Sequence, residues 1–298
     1  MPIWFRDWLY LLTLVAIWGS AFMVTRIALE SFPPATLTAL RLCLGAIALI
    51  ASLPFINRHH LKLNRRLLGF FILMAIIGNS TPFFLISWGQ QHVNSGLAGI
   101  LMAIMPLATL FLAHFYLPNE PLTRKKLIGF TLGFLGIIVL MGPNALLEIK
   151  TAGITSLAQL AILGGALCYA AGTIIARLRP ESDDLLTATA VLIIGSLMML
   201  PVSLSIETPW VKPVSIQTGL ALLFLGLVAT AIATFVYFRL LRLAGATFVS
   251  QINYLIPLWA LVAGAIFLDE KITWNSLVAL VLILAGIAVA QSRFSMKD

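Results

Sequence analysis

The sequence has few charged residues: Asp, Glu, Lys and Arg make up only 10% of its 298 residues. A soluble domain typically carries about 25%, because charged side chains cover its water-exposed surface. Here the hydrophobic share is 60% and the mean hydropathy is +1.02. The composition therefore excludes a water-soluble globular protein and favours one that lies in lipid.

Cysteine and metal-binding patterns are also scarce. The two cysteines, Cys43 and Cys168, lie in apolar runs, and neither has a metal-ligand neighbour at a useful spacing. The sequence has no His-Glu-x-x-His run, no aspartate pair within an apolar run and no phosphate-cradling glycine loop. We therefore expect no metal ion and no cofactor, and we predict that the protein is not an enzyme.

Carboxylates are missing from the interiors of the apolar runs: all eleven acidic residues lie outside them or at their ends. Proton-driven carriers commonly use a membrane-embedded carboxylate. Its absence argues against that device and leaves facilitated diffusion, exchange, or coupling by another group. We expect Glu120 and Glu270, each before the last apolar run of its half, to cap the following helix or pair with Arg124 and Lys271.

What the sequence does contain is a series of apolar runs long enough to cross a bilayer, which takes about 20 residues of helix. Lipid offers no hydrogen bonds to the backbone, so each run should be helical. The predicted fold class is all-α integral membrane, with ten transmembrane helices. They are expected at residues 8–29, 35–56, 67–88, 94–117, 125–143, 156–178, 185–206, 217–240, 245–268 and 273–291.

The distribution of basic residues predicts the topology. With a cytoplasmic N-terminus, fourteen of the 19 lysines and arginines lie on the cytoplasmic side, and the outer side holds Arg26, Lys150, Lys212 and Lys271. Short cytoplasmic loops carry an excess of Lys and Arg, so both termini are expected in the cytoplasm. The net charge of +8 is thus explained by topology, and we expect no nucleic-acid partner.

The two halves of the chain resemble each other. Pro106-Leu107 aligns with Pro257-Leu258, and further matches follow in the same order at nearly the same offset. These are Glu120 with Glu270, Thr123 with Thr273, and Gly136-Ile137 with Gly286-Ile287. We predict five-helix repeats at residues 8–144 and 156–292. Because five is odd, the second copy must be inserted upside down, as in many secondary transporters.

The same motifs resemble a known family. Trp18-Gly19-Ser20-Ala21-Phe22, Arg41, Pro106, Glu120 and Glu270 are similar to those of the drug/metabolite transporter superfamily. Within it, the chain resembles the ten-helix permeases with two EamA domains. The resemblance implies a bacterial inner-membrane permease, usually an exporter of amino acids, nucleosides or related metabolites. One departure is Tyr169-Ala170-Ala171-Gly172, which stands where the second half would repeat the Trp-Gly-Ser stretch.

Helix-breaking and polar residues deep in the spans are the candidate site. Pro106 and Pro257 stand at equivalent mid-helix positions and would each free a carbonyl, on Met102 and Asn253. They act either as hinges beside a site or as kinks for packing. A polar group in hydrocarbon is unfavourable unless it meets protein or water. The candidate substrate-binding residues are Trp18, Ser20, Asn79, Phe83, Met102, Tyr169, Thr173, Thr230, Asn253 and Tyr254.

Arg41 is a candidate charge site with three open interpretations. It could bind an anionic group, reach the outer interface, or join an interhelical network. The mid-span threonines could likewise bond only to their own helices, and Asn253 could serve an interhelical hydrogen bond.

The sequence thus favours a secondary transporter of small metabolites, working by alternating access as a monomer or homodimer. The alternatives are a membrane-embedded enzyme acting on lipid-linked substrate, a non-transporting membrane subunit, and a channel.

Overall fold

A computed structural model describes residues 3–52, 64–118, 122–141, 153–178, 180, 182–208, 212–234, 236–237, 239–240, 243–244 and 252–291. Every regular element formed by these residues is a helix. The predicted all-α fold class is therefore confirmed for the described part of the chain.

Twelve α-helices are described, and two π-helical segments adjoin them. The helices are α1 (Ile3–Ala28), α2 (Pro34–Ser52), α3 (Arg65–Ala75), α4 (Thr81–Gly89), α5 (Ser95–Met102), α6 (Met105–Tyr116), α7 (Arg124–Met141), α8 (Ile154–Arg177), α9 (Asp184–Ile206), α10 (Ile216–Leu223), α11 (Ile252–Phe267) and α12 (Trp274–Gln291). The first π segment (Ile76–Ser80) joins α3 to α4, and the second π segment (Phe224–Ile232) continues α10.

Six helical segments are long and apolar enough to cross a membrane: Phe5–Ala28, Pro34–Ser52, Arg65–Gly89, Ser95–Tyr116, Ile154–Arg177 and Leu185–Ile206. Shorter apolar helices follow at Ile216–Ile232, Leu255–Phe267 and Trp274–Ala290. Helix α7 covers residues 125–141 of the predicted span at 125–143, and its first turn holds Arg124, Lys125 and Lys126. The protein is a multi-pass membrane protein, and each predicted span overlaps described helix.

Two predicted spans differ internally from simple α-helices. The span at 67–88 contains the first π segment. The span at 94–117 is broken between α5 and α6, where Ala103 and Ile104 form a turn and Pro106 opens α6. Proline fits the first turn of a helix because it has no N–H to donate there. Pro257, its sequence counterpart, instead lies inside the continuous helix α11.

The helices begin at polar residues that cap their first N–H groups. Asn64 and Asn94 each accept a hydrogen bond at 2.8 Å, from the backbone N–H of Leu67 and of Leu97. Such caps satisfy N–H groups that have no partner inside the helix. Polar residues between the apolar runs thus fix where several helices start.

The outside of the bundle is apolar, as lipid requires. Large side chains such as Ile47, Leu197, Ile266 and Val281 are each more than 60% exposed. A soluble protein rarely leaves so much contiguous apolar surface in contact with water. The exposed apolar side chains are therefore the surface that meets the lipid tails.

Helices α2 and α9 cross through reciprocal contacts. A Cβ placed on Gly45 of α2 would lie 3.1 Å from Leu192 of α9, and one on Gly195 of α9 would lie 3.3 Å from Leu42 of α2. The same spacing along the chain separates Gly45 from Gly195 and Leu42 from Leu192. The two contacts are therefore equivalent to each other under the repeat spacing.

Helices α7 and α12 repeat the arrangement. A Cβ on Gly129 would overlap the carbonyl oxygen of Gly286, and one on Gly286 would lie 2.5 Å from that of Gly129. Because glycine has no side chain, the two helix backbones approach until they touch. These two glycines make α7 and α12 a tightly packed pair that links the halves.

Two carboxylates cap helices of the other half, at the end of the bundle where α1 finishes. Glu270 accepts hydrogen bonds from the N–H groups of Ser95 and Gly96, at 2.7 and 2.9 Å, at the start of α5. Glu207 does the same for Ala35 and Thr36 of α2, at 2.9 and 2.7 Å. Glu270 was expected to cap the following helix or to pair with Lys271. It caps α5 of the other half instead, and among the described residues it forms no ion pair with Lys271. Glu120 lies outside the described residues.

Candidate functional site

The two π segments carry the polar centre of the molecule. A π turn bonds each N–H five residues back, so it widens the helix and often marks a functional position. The Asn79 side chain lies in the first π segment and donates to the carbonyl of Met74 at 3.3 Å. Thr230 in the second π segment donates to the carbonyl of Leu225 at 2.8 Å. Each side chain therefore donates a hydrogen bond to a backbone carbonyl five residues earlier, next to or within the wide turn.

Arg41 belongs to α2, and its side chain reaches the second π segment. Its Nε donates to Thr230 Oγ1 at 2.9 Å, and its guanidinium carbon lies 3.9 Å from the centroid of the Phe83 ring. An arginine over an aromatic face gains a favourable cation–π interaction. Of the three interpretations of Arg41, an interhelical contact is thus present, and the side chain is held inward rather than directed to the interface.

Tyr169 completes this cluster from the second half. Its ring meets the Phe83 ring edge to face, with centroids 6.2 Å apart. The central cluster, defined as Arg41, Phe83, Tyr169 and Thr230, therefore takes two residues from each half. Three of its members were predicted substrate contacts, and Arg41 was the predicted charge site.

Glycine at position 226 lets α2 and the second π segment come together. A Cβ there would lie 2.5 Å from Leu44 Cβ and 3.3 Å from the carbonyl oxygen of Arg41. A larger residue would push α2 away and separate Arg41 from Thr230. No sequence pattern predicted the π segments themselves, although residues 78–82, which overlap the first π segment, form the most polar mid-span stretch of the chain.

Helix α1 places Trp18 against the second π segment and Ser20 against α11. The Trp18 indole N–H donates to the carbonyl of Ala229 at 3.1 Å, one residue before Thr230, and its ring lies 5.7 Å from that of Tyr237. Ser20 accepts a hydrogen bond from the indole of Trp259 at 2.8 Å. Both predicted site residues of α1 therefore contact helices of the second half.

Two other predicted site residues lie apart from these contacts. Thr173 donates back to the carbonyl of Tyr169 at 2.9 Å within α8, as mid-span threonines often do. Met102 ends α5 and packs against a buried apolar cluster that includes Leu101, Ile104 and Ile283. The side chains of Asn253 and Tyr254 lie outside the described part of the structure.

Polar bonds between helices gather at the end of the bundle where α1 finishes. Besides the caps by Glu207 and Glu270, Arg26 donates to the carbonyl of Gln90, whose side chain donates to the carbonyl of Phe22 at 2.8 Å. Ser31 donates to the carbonyl of Pro213 at 2.9 Å. Sequence reasoning missed these bonds because each joins residues far apart along the chain.

The sequence matches the EamA-like transporter family twice, over residues 7–142 and over residues 156–291. The chain belongs to the EamA-like transporter family. Membership confirms the resemblance to the drug/metabolite transporter superfamily and, with the apolar helices, the assignment as a membrane transporter. The two matches also support a two-repeat architecture.

Named relatives agree with this family. The uncharacterized transporter YoaV of Bacillus subtilis (strain 168) is 28% identical over 96% of this chain and 97% of its own. A probable amino-acid metabolite efflux pump of Escherichia coli (strain K12) is 26% identical over 95% of this chain and 94% of its own. A solved crystal structure matches with a TM-score of 0.68 over 96% of both chains, at 20% identity, and shows the shared fold alone.

Proposed function

We propose that this EamA-family protein is a secondary transporter, an exporter of small metabolites across the bacterial inner membrane, and that it works by alternating access. It has ten spans in two inverted five-helix repeats, at residues 8–144 and 156–292, with both termini in the cytoplasm. It needs no cofactor, catalyses no covalent reaction, and acts as a monomer or homodimer.

The observation that carries this proposal is the composition of the central cluster. Arg41 and Phe83 come from the first half, while Tyr169 and Thr230 come from the second. In repeat transporters the substrate lies between the halves, near the midplane. A polar and aromatic cluster shared by both halves fits such a site.

Reciprocal packing supports the inverted repeats. The Gly45–Leu192 and Gly195–Leu42 contacts are equivalent under the repeat spacing of 150 residues, and so are the Gly129–Gly286 and Gly136–Ala279 contacts of α7 and α12. Halves that pack through equivalent contacts can exchange conformations, so inward-open and outward-open states have similar energies. Alternating access needs two such states.

We assign the outer side of the membrane to the bundle end that carries Glu207 and Glu270. Both carboxylates cap helices of the opposite half, so they hold the halves together at this end. Opening the cavity to the outside must then break or move these caps.

The substrate site in this proposal contains the predicted contacts, with Pro106 and Pro257 as hinges. Contact residues are Trp18, Ser20, Asn79, Phe83, Met102, Tyr169, Thr173, Thr230, Asn253 and Tyr254, together with Arg41. A relative is named a probable amino-acid metabolite efflux pump, which makes amino acids the first compounds to test.

The test is counterflow into liposomes. Purified full-length protein is reconstituted in vesicles loaded with amino acids, nucleosides or polyamines, and uptake of each labelled compound is followed. We expect saturable uptake that depends on the same compound inside, because a carrier exchanges its cargo. Protein-free vesicles are the control. Linear, non-saturating uptake would indicate a channel, and no uptake of any compound by folded protein would contradict the carrier assignment.

A further inference from the structure

The guanidinium of Arg41 has hydrogen-bonding capacity that the described protein does not use. Arginine offers five N–H donors, and one of them, on Nε, is bonded to Thr230. Among the described residues, the two terminal nitrogens have no hydrogen-bond partner, and they are not among the buried atoms sealed from open space. They therefore keep some accessible surface.

No described carboxylate neutralises Arg41. Asp7 pairs with Arg6, Asp183 caps its own helix, and Glu207 and Glu270 cap α2 and α5. The remaining acidic side chains in the described part, Glu30 and Asp269, are exposed near helix ends. A charge inside a membrane protein is normally paired or faces a water-filled cavity. Among the described residues, the neighbours of Arg41 are the face of the Phe83 ring and the hydroxyl of Thr230. Neither group is charged, so neither neutralises the guanidinium.

The depth and direction of Arg41 place this charge inside the bundle. It is the eighth residue of α2, about 10 Å along the axis from Pro34. Thr230 and the Phe83 ring hold the side chain toward the interior. A lipid headgroup at the membrane surface is therefore a poor partner, whereas a solute bound between the halves, as proposed above, could reach the terminal nitrogens.

The second half has no matching cation. The spacing that relates Gly45 to Gly195 and Thr230 to Ser80 places Val191 at the position equivalent to Arg41. Val191 is buried and packs with Phe71 and Ile175. Ser80 is buried and, among the described residues, its hydroxyl has no hydrogen-bond partner. The pseudo-symmetric site thus carries a positive charge on one side only.

We infer that Arg41 is an anion-binding subsite of the cavity, whose two free terminal nitrogens take a carboxylate of the cargo while Phe83 and Tyr169 contact its apolar part. Two parallel N–H donors match the two oxygens of a carboxylate. The cargo is then an organic acid or a zwitterion with an apolar group. Polyamines and other purely cationic compounds are disfavoured by charge repulsion. This inference rests on the proposed carrier function and narrows its substrate class.

The test compares matched acids and amides on the wild-type protein. L-Phenylalanine with L-phenylalaninamide, L-leucine with L-leucinamide, and phenylacetate with phenylacetamide are assayed by counterflow, and their binding is followed by thermal stabilisation of the detergent-solubilised protein. We expect at least one pair in which the acid is bound and carried about tenfold better than the amide or more. An amide or a polyamine carried as well as every acid would overturn the anion subsite while leaving the carrier function intact.

Variants then connect the preference to this residue. Arg41→Gln is expected to abolish the acid-over-amide preference, and Arg41→Lys to retain part of it, because an ammonium keeps the charge but lacks the planar fork. Arg66→Gln is the matched control, since Arg66 is exposed at the start of α3. An acid preference that survives unchanged in folded Arg41→Gln protein would overturn the assignment, and the wild-type comparison decides the question if this variant does not fold.

Two further outcomes separate the possible failures. If the folded wild-type protein carries no compound of any class, the carrier function itself fails, and the subsite fails with it. An anionic lipid is tested as occupant by comparing vesicles of phosphatidylcholine alone with vesicles containing phosphatidylglycerol. Stabilisation by phosphatidylglycerol without any response to the acids would assign Arg41 to lipid and overturn the inference.

Discussion

At the scale of single residues, Thr230 connects the wide turn of the second π segment to the cation of α2. Its hydroxyl donates to the carbonyl of Leu225 and accepts from Arg41 Nε. One hydroxyl group thus fixes both the local backbone and the direction of the guanidinium. The Phe83 ring holds the guanidinium from another side.

We predict that Thr230→Val lowers transport by raising KM several-fold. Valine keeps the shape of threonine but can neither accept from Arg41 nor donate to Leu225, so the guanidinium loses its anchor. Thr230→Ser keeps the hydroxyl and should restore most of the activity. The control is Thr131→Val, because Thr131 is exposed and bonds only to its own helix, at Leu127. Unchanged counterflow kinetics in Thr230→Val would contradict this role.

At the scale of helices, carboxylates from one half cap the first turns of helices in the other half. Glu270 accepts two backbone N–H groups and the Ser95 hydroxyl at the start of α5. A carboxylate at a helix N-terminus is also favoured by the helix dipole. The cap therefore combines satisfied N–H groups with a favourable charge.

Glu270→Ala should lower the free energy of unfolding by about 0.5–2 kcal/mol, the range for loss of an N-terminal cap. The measurement is thermal or denaturant unfolding in detergent. Glu30→Ala serves as the control, since Glu30 is exposed. Equal stability of the Glu270→Ala and control variants would show that the cap contributes nothing.

The α7–α12 pair is predicted to be sensitive to the addition of one methyl group. Gly129→Ala and Gly286→Ala each place a Cβ within 2.5 Å of the opposing backbone, so the helices must move apart. We expect a loss of about 1–3 kcal/mol for each, as for other overpacked interiors. Gly69→Ala is the matched helical control, because nothing lies within 4 Å of a Cβ at that position. If both variants unfold with the same free energy as the wild-type protein, the prediction of tight packing between α7 and α12 is wrong.

At the scale of the whole molecule, the proposed topology places both chain ends in the cytoplasm. An activity reporter fused after Asp298 should be active when it requires the cytoplasm and inactive when it requires the periplasm, because basic residues favour the cytoplasmic side. The matched control inserts the same reporter near Lys212, on the opposite side of the predicted topology. Periplasmic activity of the C-terminal fusion would reverse the orientation and move Glu207 and Glu270 to the inner side.

Much of the site could be predicted from residue types because lipid makes polar groups conspicuous. Arg41, Phe83, Tyr169 and Thr230 were each identified as candidates in an apolar background, and folding brings them together. Thr173 could not be distinguished in the same way, since a threonine that bonds to its own helix leaves no mark in the sequence. The sequence also did not show that the helix breaks before Pro106 but continues through Pro257. That difference depends on how the surrounding helices pack around each proline.

Composition and the length of the apolar runs were enough to predict a helical protein in lipid, because only a helix satisfies the backbone N–H and C=O groups of a single apolar run in a bilayer. The sequence also indicated a repeat, through sparse matches at constant spacing. Only the tertiary structure showed which helices are in contact. It also showed that Glu270 caps α5 rather than the helix that follows it, and that Thr230 accepts a hydrogen bond from Arg41. Those pairings join residues far apart along the chain, and which of them form depends on helix crossing geometry that local sequence does not encode.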